Sequence, residues 1–127
     1  MTIKSINAPS APEAVGGYSQ AAEVSGTTRR LYISGQIPVA RDGTCPATFE
    51  EQAVLAWANL EAQLAAAEMS IANLVKVTIF LSDRAHALEN REVRQRVLGD
   101  HAPALTVIIA GIFDEQWLLE IEAIAEA

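Results

Sequence analysis

The stretch Asn73–Ser82, NLVKVTIFLS, constrains the fold of this chain more than any other. Val75, Val77, Ile79 and Leu81 form one wholly apolar side of a period-two repeat, and Lys76, Thr78 and Phe80 form a mixed one. This is a strand with one face in a core and the other against something less uniform. Two later stretches are fit to pair with it. LTVIIAG (105–111) is nearly all apolar, as in a strand covered on both faces. LLEIEAIAE (118–126) alternates, with Leu119, Ile121, Ala123 and Ala125 on one side and Leu118, Glu120, Glu122 and Ile124 on the other.

Ahead of these lie two more strand signals, near Ala21–Val24 and in RLYISGQIP (30–38), joined by the turn SGTT. The segment NAPSAPEAVGGYSQAAEV is rich in Pro and Gly and reads as irregular before its end. A helix spans about 48–68. TFEE opens it as a capping box, with Thr48 accepting from the Glu51 N–H, and Val54, Trp57, Leu60, Leu64 and Ala67 recur on one side. Trp57 therefore reads as core. A weaker helix covers about 84–98, with Leu88, Val93 and Val97 as its apolar side and Gly99 suited to end it. The expected class is α/β (α+β): one mixed sheet of five to six strands in the order β-β-α-β-α-β-β, with two helices on one face. The other face carries Lys76, Phe80, Ile108, Leu118, Glu120 and Ile124. It is too apolar for water and too polar for an ordinary core. Such a face packs on another subunit or lines a cleft, so a homo-oligomer is expected.

A length of 127 residues fits one domain, 1–127. A net charge of -7 lacks the basic footprint of a nucleic-acid binder. Arg84, Arg91, Arg94 and Arg96 read as a solvated helix face. The lone Cys45 allows neither an internal disulfide nor a cysteine zinc site, and suits a reducing cytoplasm. No export signal or membrane span is evident. His86 and His101 are not spaced as a helical metal pair, and neither a Gly-rich phosphate loop nor a GxSxG motif is present, so neither metal nor cofactor is expected. His101, before Ala-Pro, reads as a side chain that caps or bridges backbone at the helix exit.

Five stretches taken together, GGYSQA (16–21), YISGQIP (32–38), VKVTIFLSD (75–83), HAPA (101–104) and LLEIEAIA (118–125), resemble the Rid superfamily, also called YjgF or endoribonuclease L-PSP, over essentially the full length. The resemblance implies a chorismate-mutase-like fold and a homotrimer in which sheets pack into a central barrel with ligand clefts between subunits. Its best-known members hydrolyse 2-imino acids to 2-keto acids and ammonia. In them an arginine directly after the PA dipeptide grips the substrate carboxylate; here Leu105 stands in that place. Glu120 in LEIE and Tyr18 in GGYSQA match the family pattern, with Gly17 replacing a proline. Val107 stands where a cysteine is frequent, and the asparagine common on the second helix aligns near Arg91, with Asn90 beside it.

Leucine offers no donor, whereas a guanidinium gives a carboxylate two charge-assisted hydrogen bonds of about 1.5–3 kcal/mol each. Their loss costs about two orders of magnitude or more. An arginine such as Arg91, Arg29 or Arg30 of a neighbouring subunit could stand in. The expected function is a RidA-like trimer whose intersubunit cleft takes a neutral or cationic small molecule and is no efficient 2-imino acid deaminase. Tyr18, Glu120 and the surroundings of Ser34, Gly35, Arg91, Leu105 and Val107 would line that cleft. If it is enzymatic, water adds to a polarised C=N bond, Glu120 acts as general acid/base and Tyr18 orients the ligand. A deaminase with a relocated anchor is the alternative; a structural or regulatory trimer is the second. Ribonuclease activity ranks last, given the acidic charge and the lack of a catalytic His–His or His–Lys pair.

Overall fold

In the computed structural model, which describes residues 1–127, six strands and two helices alternate as β1 (Thr2–Ile6), β2 (Ala21–Ser25), β3 (Arg30–Gln36), α1 (Phe49–Ala66), β4 (Leu74–Leu81), α2 (Ala87–Leu98), β5 (Ala104–Ile109) and β6 (Leu119–Glu126). The expected α+β class and both helices are present. The strands, however, divide into two sheets, a two-stranded ribbon β1-β2 and a four-stranded sheet β3-β6-β4-β5. β1 is an addition to the expected order. Its sequence, TIKSI, has little apolar pattern because four of its five residues stay exposed. It forms by pairing with β2, Ile3 opposite Val24. Ser19 ties the ribbon's approach to the main sheet: its N–H donates to Pro103 O at 3.0 Å and its hydroxyl to Ala102 O at 2.5 Å, beside an isolated bridge to Ala104.

β4 and β6 run antiparallel, with Val77 opposite Ala123, Ile79 opposite Ile121 and Leu81 opposite Leu119. All six side chains are buried. α1 lies on that face. Thr48 caps it by accepting from the Glu51 N–H at 3.2 Å, and Glu51 reaches back to the Thr48 hydroxyl at 2.8 Å rather than to its backbone. The buried stripe of α1 is Phe49, Gln52, Ala53, Ala56, Trp57, Leu60 and Leu64. Val54 is 48% exposed, because the line through Ala53, Trp57, Leu60 and Leu64 leaves it about 100° around the helix. The amide of Gln52 is buried and fully used. It donates to Pro46 O and Gln116 O and accepts from the Leu118 N–H, which sets the loop that delivers β6.

α2 follows a single 3-10 turn at Arg84–His86 and buries Asn90, Val93, Arg94 and Leu98. Val93 lies in the core and Val97 packs against it, as expected of the apolar side, but Leu88 is 74% exposed and the polar Asn90 and Arg94 take its place inward. The four arginines are not a uniform solvated face either, since Arg94 points inward. Gly99 ends α2 with φ +57°, as expected of a glycine there. His101 bridges backbone as expected, its Nε2 lying 2.7 Å from Leu74 O. β5 is an edge strand, flanked only by β4, and Val107, Ile108 and Ile109 are exposed rather than covered on both faces. Leu118 sits just before β6 and packs against the core instead of joining the open face. That face, away from the helices, carries Lys76, Thr78, Phe80, Thr106, Ile108, Glu120, Glu122 and Ile124. Lys76 Nζ donates to Thr106 Oγ1 at 2.6 Å. No helix is long and apolar enough to cross a membrane.

Candidate functional site

The pairing of β3 with β6 slips by one residue between Ile33 and Gln36, so β3 bulges at Ser34–Gly35. Glu120 meets β3 at this bulge. A Cβ placed on Gly35 would lie 1.9 Å from Glu120 Oε2, 2.7 Å from Cδ and 3.0 Å from Cγ. The glycine therefore makes the seat of the carboxylate: any side chain at position 35 occupies it. Across the same face Glu120 is opposite Phe80, and Phe80 is opposite Ile108, which gives the carboxylate an apolar flank. Gly35→Ala is expected to drive Glu120 into another rotamer at a cost of about 1–3 kcal/mol, with the fold retained. Urea denaturation measures the cost, and a crystal structure of the variant shows where the carboxylate has gone.

Leu105 lies elsewhere. It pairs with Val77, whose side chain is in the core, and is itself packed against that core. Val107 pairs with Ile79 on the same side but is 38% exposed at the edge. Leu105 and Glu120 therefore project from opposite faces of one sheet, with β4 between their strands. Within one chain they do not share a site. Tyr18 is half-buried and lines an open cavity of about 500 Å³ with Asn7, Pro9, Pro12 and Glu13. Two glycines of positive φ, Gly16 (+104°) and Gly17 (+78°), turn the chain into it.

Of the arginines considered as substitutes, Arg29 donates to Ala67 O at 2.9 Å, and Arg30 contacts Tyr32 Oη at 3.3 Å and Glu126 Oε1 at 3.6 Å. Both are engaged at the far end of the sheet. Arg91 is exposed and stands against Gly16. The residue that sequence reasoning missed is Arg94, 4% exposed, whose Nη2 donates to Gly16 O at 2.5 Å. Burial, and then the like charge of Arg91, push its guanidinium pKa down, while Tyr18 opposes the shift. Its spacing from Asn90 and Leu98, one turn either side, was the available signal that it faces inward. No group of three or more His, Cys, Asp or Glu side chains converges as metal ligands would.

Residues 8–127 match the family model described as "Endoribonuclease L-PSP". The chain is 34% identical to Protein DfrA of Myxococcus xanthus, over 98% of its own length and 96% of that protein's. It is 32% identical to TdcF of Escherichia coli K12, provisionally named a reactive intermediate deaminase, over 96% and 95% of the two chains. Among solved structures, that of E. coli TdcF with bound serine superposes with a TM-score of 0.73 at 33% identity, covering 98% of each chain. YyfB of Yersinia pestis, a protein of the Rid family, superposes with a TM-score of 0.87 over 100% of both chains at 23% identity, a likeness of fold.

Proposed function

The chain belongs to the endoribonuclease L-PSP family, the Rid superfamily, and from that premise we propose that it is a homotrimer whose intersubunit clefts bind a small molecule without the carboxylate grip of a 2-imino acid deaminase. One observation carries this reading. Leu105 and Glu120 lie on opposite faces of the sheet, so they share a cleft only where the Glu120 face of one subunit meets the β5 edge of another. That face is half apolar, with Phe80 beside Glu120 and Ile108 and Ile124 further across it, and Val107 to Ile109 open the β5 edge. Both surfaces lose water favourably on assembly.

In the cleft so formed the ligand meets Leu105 with a neutral or cationic group, because an apolar side chain desolvates an anion and returns no hydrogen bond. Glu120 in the Gly35 seat supplies a carboxylate that attracts a cation or takes a proton from water adding to a C=N bond. Tyr18 orients the ligand. Backbone groups of the Ser34–Gly35 bulge and of Val107 hold developing charge, and Arg91 stands at the rim. A deaminase with its anion anchor elsewhere is the second reading, favoured by the likeness to TdcF. A net charge of -7 disfavours RNA as substrate. The half-buried free thiol of Cys45 suits a reducing cytoplasm.

The assembly is tested by light scattering at micromolar concentration. The expected mass is about 41 kDa, three times 13.6 kDa. A well-behaved monomer would remove the intersubunit cleft and the reading with it.

A further inference from the structure

The open face of the sheet, away from the helices, holds two opposite charges that do not meet. In the strand register Thr78 of β4 stands between Glu122 of β6 and Thr106 of β5, and Lys76 lies two residues before Thr78 on the same face. Lys76 is half-buried and leans toward β5, where Nζ donates to Thr106 Oγ1. An ammonium has three donors, and this contact uses one. Glu122, on the other side of β4, is exposed. The ion pairs of the structure are Arg30–Glu126 and Arg96–Glu50, so neither Lys76 nor Glu122 meets an opposite charge within the chain. The other charges of this face are engaged: Glu120 fills the Gly35 seat, and Arg30 is held by Tyr32 and Glu126. Phe80, Ile108 and Ile124 make the rest of the face favourable to cover, but a charge covered there without a partner would oppose the contact.

We propose that this face docks on a second copy of the chain, with Lys76 of one subunit paired to Glu122 of the partner subunit, and that a ring of such pairs closes the trimer. The inference rests on the trimeric reading above and names the contact that selects it. Charge complementarity points to a copy of this chain as the occupant, because the face carries both halves of the pair in equal number. In a head-to-tail ring each subunit gives its Lys76 to one neighbour and its Glu122 to the other, so every charge is used once. The placement agrees with the cleft. Leu105 and Glu120 share a cleft only where the β5 edge of one subunit reaches the Glu120 face of another. Lys76 leans toward that same β5, onto Thr106, the residue after Leu105. Glu122 stands two residues beyond Glu120, roughly 7 Å along β6. The pair therefore lies beside the cleft without lining it. Apolar side chains favour contact in many orientations, whereas a charge pair fixes which strands meet.

The test is light scattering over a dilution series on the native chain, Lys76→Glu, Glu122→Lys and the double variant that carries both. Each single reversal sets like charges across every contact and should raise the concentration at which the trimer dissociates at least about tenfold. The double variant restores opposite charges in exchanged places and should bring that concentration back close to the native value. Circular dichroism checks that each chain is folded. Should one single variant not fold, the other single variant and the double variant still decide. Single variants that dissociate as the native chain does would overturn the pair and leave the trimer standing. A double variant that dissociates as readily as the single ones would overturn the pair as well. A native chain that is monomeric at micromolar concentration would overturn the trimer and the pair together.

Discussion

Leu105→Arg should give a protein that is less stable by about 1–3 kcal/mol and binds pyruvate at least about tenfold more tightly. The cost comes from the core side of the sheet. Leu105 is half-buried against the core beside Val77, and a guanidinium placed there loses water and gains no carboxylate partner. The cost stays below that of a fully buried charge because β5 is an edge strand. An arginine stem can run along the apolar edge and put its head in water. From there it faces the proposed cleft and supplies the two charge-assisted hydrogen bonds that leucine cannot. The gain should shrink as salt rises, since the ion pair at the cleft mouth is screened. Urea denaturation and calorimetry read the two effects. A stable trimer with no pyruvate binding at low salt would show that position 105 does not face the ligand.

Much of the fold was legible because β4 and β6 alternate without interruption and Thr48–Glu51 marks a helix start. The misreadings share one cause. Periodicity shows that a helix has an inner side but not which residues turn to it when polar ones compete. Val54 and Leu88 are apolar yet face water, while Asn90 and Arg94 are polar yet buried. β1 was missed because a ribbon that is exposed along most of its length needs no apolar pattern. The site was legible only in part. Leu105 and Glu120 are close in sequence, yet their faces are set by strand order and by the parallel register of β5 on β4, neither of which is written in local pattern. The contact of Gly35 with Glu120 left a clue. A glycine inside an otherwise regular strand marks a bulge or a close approach, and Gly35 marks both.

The largest effect concerns the reaction itself. A deaminase of 2-imino acids must hold a carboxylate while water adds to the adjacent C=N bond, and tight positioning is worth as much as the charge it neutralises. Leu105 gives neither. Arg29 and Arg30 are held at the far end of the sheet by Ala67 O, Tyr32 and Glu126. Arg94 is buried with its Nη2 on Gly16 O, and Arg91 is exposed, where an ion pair with a carboxylate is screened and weak. In the proposed intersubunit cleft a substrate carboxylate would meet an apolar side chain and the carboxylate of Glu120. Two lost charge-assisted bonds amount to about a hundredfold or more in rate. The decisive measurement is the disappearance of 2-iminopropanoate, generated in situ by an amino-acid oxidase, with this protein and with an arginine-bearing family member at equal concentration. A rate at least about a hundredfold below that of the relative, close to buffer alone, is the predicted result. Equal rates would contradict it and place an anion anchor at Glu120 after all.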